Sequence, residues 1–187
     1  MSNLTFQKTP IAGLQIIERH PLNDERGYLE RMFCQETLKV LLKEKTIRQI
    51  NHTLTHKEGL VRGLHFQYGN HKEIKIVSCL KGMVWDVAVD LRKGSPTFLK
   101  YHAVILSEDN LQSFFIPEGF AHGFQTLTAD CEMIYFHTAD YNDSKEGAIN
   151  ALDPFLAIKW PKPITERSKR DIDHKMLNKD FLGIEML

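Results

Sequence analysis

The chain has 187 residues, with 24 basic and 24 acidic side chains, a formal net charge of zero, 42% hydrophobic and 26% charged residues. These values suit a soluble globular chain that folds as one domain and buries about 70% of its unfolded surface without disulfides or a structural metal. They argue against a general binder of nucleic acid or anionic membrane; no run approaches the roughly 18 apolar residues of a membrane span, and the start MSNLTFQKTP lacks the basic and apolar regions of a secretory signal.

Two apolar segments open the chain, residues 14–17 (LQII) and 28–33 (YLERMF), on either side of the turn-rich stretch 23–27 (NDERG). Residues 36–45 (ETLKVLLKEK) read as a helix, with Leu38, Leu41 and Leu42 on one face. From Asn51 to Phe136 the text changes to short β-prone runs, 60–67, 74–79, 83–91, 100–106, 113–116, 122–127 and 131–137, separated by turn residues such as Lys81-Gly82 and Gly94-Ser95-Pro96. In 83–91 (MVWDVAVDL), Trp85, Val87, Val89 and Leu91 share one face, and Val84, Asp86, Ala88 and Asp90 share the other. A second helix is expected near 168–177. The reading is an all-β, antiparallel barrel with a few short helices in one domain spanning 1–187: N-terminal strands and helix over about 1–50, barrel over about 51–150, and a C-terminal extension over about 151–187. Cys34, Cys79 and Cys131 form no CxxC pair, which fits reduced thiols in a cytoplasmic protein.

Nine histidines ask for an account. His20, His52, His56, His102 and His174 lie in polar or loop contexts and read as surface residues. His65 lies in a strand between Leu64 and Phe66, where an inward imidazole needs a partner to offset its desolvation. His122 closes 117–122 (PEGFAH), a tight turn that aims an imidazole inward. There is no H-x-H, and His71 is too loosely placed to replace one, so no metal site is expected. With no GxGxxG and no phosphate-binding GxxxxGK[ST], no cofactor is expected either. Side-chain acid–base chemistry remains, with imidazole as the natural base near neutral pH.

The turn P-x-G-x-x-H resembles the second sequence box of the cupin superfamily. Taken together, 24–27 (DERG), 62–67 (RGLHFQ), 84–98 (VWDVAVDLRKGSPTF), 116–124 (IPEGFAHGF), Asp153-Pro154 and 158–161 (IKWP) resemble the dTDP-4-dehydrorhamnose 3,5-epimerase family in order over nearly the whole chain. The resemblance implies a cupin-type jelly-roll barrel, usually a homodimer exchanging N-terminal strands. It implies a nucleotide-linked 4-keto-6-deoxyhexose as substrate, inverted at C3, C5 or both without metal or redox cofactor. It implies His65 as general base, Asp171 as the carboxylate that orients it, Lys75 as the cation facing the enolate oxygen, and Tyr135 as the acid. Arg26, Glu30, Gln49, Asn51, Arg62, His122, Glu146 and Arg170 match binding positions.

Three departures bear on the nucleotide. Asp140 stands where the family places a tyrosine that stacks on thymine, and on a strand the neighbouring Tyr141 would face the opposite way. Ser78 replaces a basic residue, and Ala151-Leu152 replaces Trp-Asn. A CDP- or GDP-linked sugar therefore stays open, as do a 3,4-ketoisomerase, a non-catalytic sugar-nucleotide binder and, last, a metal-dependent oxygenase. Tyr135 as a packing aromatic, Lys75 as a rim residue and Asp171 as a helix cap are the structural alternatives.

Overall fold

Alternating runs become strands where one set of side chains can be buried against a facing sheet. The computed structural model describes residues 3–186; Met1 and Ser2, part of the start MSNLTFQKTP, and Leu187 lie outside the described residues. The strands are β1 (Leu4–Lys8), β2 (Gln15–Arg19), β3 (Leu22–Asp24), β4 (Gly27–Leu29), β5 (Gln49–Thr55), β6 (Val61–Gln67), β7 (Lys75–Lys81), β8 (Met83–Asp90), β9 (Tyr101–Ser107), β10 (Gln112–Ile116), β11 (Phe120–Thr126), β12 (Cys131–His137) and β13 (Glu146–Ala148), with helices α1 (Gln35–Leu42) and α2 (Lys169–Asp173). A six-stranded sheet in the order β1-β2-β10-β7-β12-β5 faces a five-stranded sheet in the order β13-β6-β11-β8-β9, and β3-β4 form a separate hairpin. The named strands pair antiparallel. The all-β expectation holds. No helix among the described residues is long and apolar enough to cross a membrane.

The space between the sheets is filled by Val77, Cys79, Val84, Ala88, Phe114, Ile116, Phe120, Phe124, Cys131 and Met133. Each sheet also has its outer face covered. Helix α1 lays Leu38 and Leu42 on Ile74, Ile76, Phe115 and Phe136. It ends before the predicted residue 45 because Lys43 adopts φ 55° and its N–H bonds back to the Lys39 carbonyl. The second face of β8, with Trp85, Val87, Val89 and Leu91, packs against Ile149, Leu156, Ile158, Trp160, Phe181 and Ile184 of the C-terminal segment. The clean alternation of β8 therefore marks two buried faces.

The sequence boundary near residue 50 does not divide the sheet, since β1 and β2 continue it beside β10. Helix α2 is half the length expected. The Asn150 side-chain amide captures the carbonyls of Ile172 and His174 (3.0 and 3.1 Å), so the chain leaves the helix with those acceptors satisfied. Asp153 accepts the backbone N–H groups of Phe155, Leu156 and Leu177 and fastens the same segment. All three cysteines are free thiols, and Cys79 and Cys131 are buried.

One irregularity positions the interior. On β11 the register partners His122 and Phe124 are two residues apart, whereas their partners on β6, His65 and Arg62, are three apart. This bulge puts both Arg62 and His65 on the inner face, which plain alternation forbids. It rests on glycine. Gly63 has φ 116°, and a Cβ there would lie 2.7 Å from both Gly123 Cα and the His122 carbonyl oxygen. Gly63→Ala is expected to destabilise the fold by about 1–3 kcal/mol or more, since backbone and not a flexible side chain must yield. The midpoint of urea unfolding measures this, and a midpoint equal to the parent's would contradict it.

Candidate active site

A cavity of about 240 Å³ opens between the two sheets at the end marked by the bulge. The five-stranded sheet contributes Arg62, His65, Gln67, His122 and Glu146 to its lining; the facing sheet contributes Gln49, Asn51, Thr53, Lys75, Tyr135 and His137. His65 Nε2 lies 2.7 Å from Asp171 Oδ1. Asp171 does not cap α2. Ser168 does so, its hydroxyl oxygen accepting the Asp171 N–H at 3.0 Å, which leaves the carboxylate free to face the imidazole. Burial raises the proton affinity of Asp171, but the hydrogen bond and charge of His65, with Ser168 and the Gly63 backbone, outweigh it and hold the carboxyl below its ordinary value. With Nε2 committed to a carboxylate, the imidazole lone pair sits on Nδ1.

Lys75 and His65 come from different sheets and still converge. Lys75 Nζ is 3.5 Å from the His65 carbonyl oxygen, and its side chain is almost fully buried. Lys75 is thus an interior cation rather than a rim residue. Its counter-charge is Glu73 (3.3 Å), whose other oxygen accepts from His137 Nδ1 at 2.8 Å. Burial would raise Glu73, but the His137 hydrogen bond and the Lys75 charge overcome it and the carboxyl is held low. Glu73 and His137 went unread in the sequence. Glu73 lies just before β7 and His137 ends β12, so both sit where strands meet the cavity.

Tyr135, on β12 of the facing sheet, lines the same cavity as His65. Burial pushes its phenol above the ordinary value, the Asp86 carboxylate adds to this, and Thr53 and Arg62 act against it. The hydroxyl is therefore protonated throughout the neutral range. Its ring meets the His122 imidazole edge-on, with centroids 6.2 Å apart. His122 Nε2 reaches both oxygens of fully buried Asp86 (2.8 and 2.9 Å), a second imidazole–carboxylate pair beneath the cavity. Burial pushes Asp86 up, with His122 and Lys75 opposing. Asp86 was read only as one face of an alternating strand.

At the rim, Glu146 joins Tyr141 (hydroxyl to Oε2, 2.8 Å) and the Arg170 guanidinium. Gln49 donates to Asn51 Oδ1 (3.0 Å) and accepts the Tyr141 N–H (3.1 Å). Arg62 donates to the Leu54 carbonyl at 3.2 Å. Two expected binding residues lie elsewhere on the chain. Arg26 tips the exposed β3-β4 hairpin and pairs with Asp24. Glu30 forms a buried pair with Arg19 at 2.6 Å, away from the cavity.

Three readings are corrected. β12 ends at His137, so Asp140 and Tyr141 lie beyond the strand and its alternation does not govern them; Tyr141 lines the cavity, while Asp140 pairs with Arg48 at 3.1 Å. Ser78 sits on the outer face of β7, 2.7 Å from Ser113 Oγ, which also accepts from Arg19, so a change there does not alter the cavity wall. His174 is not a surface residue. Its side chain is 12% exposed, its ring meets His65 edge-on at 5.3 Å, and burial together with the His65 charge holds it below its ordinary value.

The family model for dTDP-4-dehydrorhamnose 3,5-epimerase matches residues 8–179. The chain belongs to that family. The Salmonella typhimurium dTDP-4-dehydrorhamnose 3,5-epimerase is 41% identical over 177 residues, covering 94% of this chain and 96% of its own. The crystal structure of the Elizabethkingia anophelis enzyme of the same name superposes with a TM-score of 0.89 at 36% identity, covering 96% of this chain and 100% of the other. A dTDP-6-deoxy-D-glucose-3,5-epimerase from Legionella pneumophila, solved in complex with dTDP-4-keto-L-rhamnose, superposes with a TM-score of 0.89 at 38% identity, covering 97% and 98% of the two chains. The jelly-roll expectation is thereby met by the fold of this epimerase family.

Asp171 and Glu73 bind protons more weakly in the fold than in the unfolded chain. The stability they contribute is fully present above the range where unfolded carboxylates titrate and is lost as pH falls through their depressed values. Between about pH 6 and pH 3 the urea midpoint of the parent is expected to drop further than that of an Asp171→Asn, Glu73→Gln double variant. Parallel decline of the two would contradict the assignment.

Proposed function

We propose that the chain inverts C3 and C5 of a dTDP-linked 4-keto-6-deoxyhexose by deprotonation and reprotonation, the observation that carries this being the His65–Asp171 pair facing Tyr135 across a cavity that also holds the Lys75 ammonium. The C4 ketone acidifies the hydrogens on both neighbouring carbons, because their removal gives an enolate. His65 Nδ1 takes such a proton, while Asp171 holds the ring orientation and stabilises the imidazolium. Lys75 supplies a fixed positive charge for the enolate oxygen in a largely desolvated site, the kind of preorganised stabilisation that often dominates such barriers. Tyr135, kept protonated by burial, returns a proton from the opposite face, and inversion follows from base and acid standing on opposite walls. Exchange of His65 and Tyr135 with solvent resets the pair for the second carbon.

The dTDP assignment is supported by the Legionella pneumophila relative, solved with dTDP-4-keto-L-rhamnose. Asp140 gives no ground for CDP or GDP, because it is off the strand and paired with Arg48, while Tyr141 offers an aromatic ring at the cavity. Arg62 and Arg170 suit the diphosphate, where forked donors meet oxygens, and Gln49, Asn51, His122 and Glu146 suit the sugar and its ring hydroxyls. Free buried thiols fit a reducing cytoplasm.

A homodimer completes the reading. Arg26 is held away from its own cavity on a hairpin whose Leu22, Tyr28 and Leu29 are 60%, 64% and 69% exposed, an apolar set that exchange between protomers would bury. Arg26 then serves the neighbouring protomer's cavity, with Glu30 and its partner Arg19 holding the base of the hairpin.

His65→Ala is expected to lower solvent-deuterium exchange at both C3 and C5 by about 10²–10⁴-fold while dTDP binding persists. Exchange at the parental rate would remove His65 from the base role. NMR of the same reaction tests the acid: Tyr135→Phe is expected to keep deuterium incorporation and lose net inversion, and equal loss of both would assign Tyr135 to packing. Incorporation at one carbon alone in the parent would make the chain a single-carbon epimerase. Activity is expected to survive exhaustive chelation, and its loss would revive a metal-dependent route.

A further inference from the structure

We propose that His65, Asp171 and His174 form a three-ligand site for a divalent ion of the zinc class, and that an ion seated there withdraws His65 from proton transfer, making the centre reversibly inhibitable by metal. The inhibitory half of this rests on the reading of His65 as base; the site itself rests on geometry. One ligand atom from each of the three residues lies within 4.8 Å of the others. His65 Nε2 is 2.7 Å from Asp171 Oδ1, and His174 Nδ1 is 3.7 Å from the same oxygen. Three donors around a tetrahedral zinc, each about 2.0–2.2 Å from it, stand roughly 3.3–3.5 Å apart, so movements under about an ångström turn this triangle into a ligand set.

The second observation is His174 Nδ1 itself. It is buried and makes no hydrogen bond, one of three such side-chain atoms among the described residues. An imidazole nitrogen buried beside a carboxylate with no partner is a donor set aside. Its backbone is fixed by Asn150, which donates to the carbonyls of Ile172 and His174, and Asp171 is fixed by Ser168. The ligands are thus presented by a clamped segment on one side and a bulged strand on the other. Two imidazoles and one carboxylate favour zinc, cobalt or nickel over magnesium or calcium, which take oxygen ligands. Three protein ligands leave a fourth position for water. On binding, the Nε2 proton moves through solvent to Nδ1, the freed Nε2 lone pair goes to the metal, and Nδ1, now N–H, can no longer accept a proton. The ring then loses both the tautomer and the carboxylate contact that the base requires.

The test uses the full-length, chelator-treated protein. Titration with Co²⁺ is expected to give visible absorption bands of a four-coordinate ion at one equivalent per chain. Zn²⁺ is expected to stop solvent-deuterium exchange into the substrate, and EDTA to restore it, with Mg²⁺ without effect at the same concentration. His174→Gln is expected to keep metal-free activity and to weaken both Co²⁺ binding and Zn²⁺ inhibition by tenfold or more. Equal Co²⁺ binding by parent and variant would overturn the site, as would the lack of those bands in the parent, a result that needs no variant to fold. Co²⁺ bound with undiminished exchange would overturn the base reading and the switch built on it. Absence of metal binding leaves the base reading to be judged by His65→Ala alone.

Discussion

The hydrogen bond between His65 Nε2 and Asp171 Oδ1 joins residues 106 positions apart and ties the C-terminal segment to the barrel. A carboxylate as buried as Asp171 is costly unless its lone pairs are filled by good donors. Here a charged or polarised imidazole fills one, and the segment that carries it is secured independently by Asn150 and Asp153. The packing of Trp160, Leu156 and Ile184 on the outer face of β8 brings that segment within reach. The apolar cover of β8 and the orientation of the His65 imidazole are therefore one arrangement.

His65 and Tyr135 stand on facing sheets because the cavity is the unfilled end of a sandwich core. Toward its other end the same inner faces carry Phe114, Met133 and Cys131, which close the gap. Toward the site they carry Lys75, Tyr135, His122 and Asp86, and each polar group has a named partner or a charged neighbour. Epimerisation needs proton donors and acceptors on opposite faces of a flat enolate, and a two-sheet sandwich supplies two walls about that spacing without further invention.

The barrel strands were legible because 74–79, 83–91 and 131–137 alternate strongly, and His65 with His122 stood out as imidazoles inside such runs. β5 was harder to see. Its inner face is Gln49, Asn51 and Thr53, polar because it lines a cavity, so the alternation that marks a half-buried strand is missing. The bulge at Gly63 was hidden for a related reason: strict alternation puts Arg62 and His65 on opposite faces, and only the register on β11 reveals that both point inward. Asp86, Glu73 and His174 escaped because a charged residue in a strand or tail reads as solvated until its partner, distant in sequence, is placed beside it. The resemblance to a known family carried Asp171, Lys75 and Tyr135, which periodicity alone left as cap, rim and packing residue.

The order of the chain adds a temporal consequence. Synthesis runs from His65 toward Asp171, so the barrel and its inward imidazole exist before the residue that aims that imidazole has been made. A chain made through β13 but not α2 already holds Lys75, Tyr135 and the strands that line the cavity, yet lacks the carboxylate that fixes the His65 ring. The His65–Asp171 contact thus forms only after β13 has been translated, and a partial product that ends before α2 has no carboxylate to orient the His65 ring.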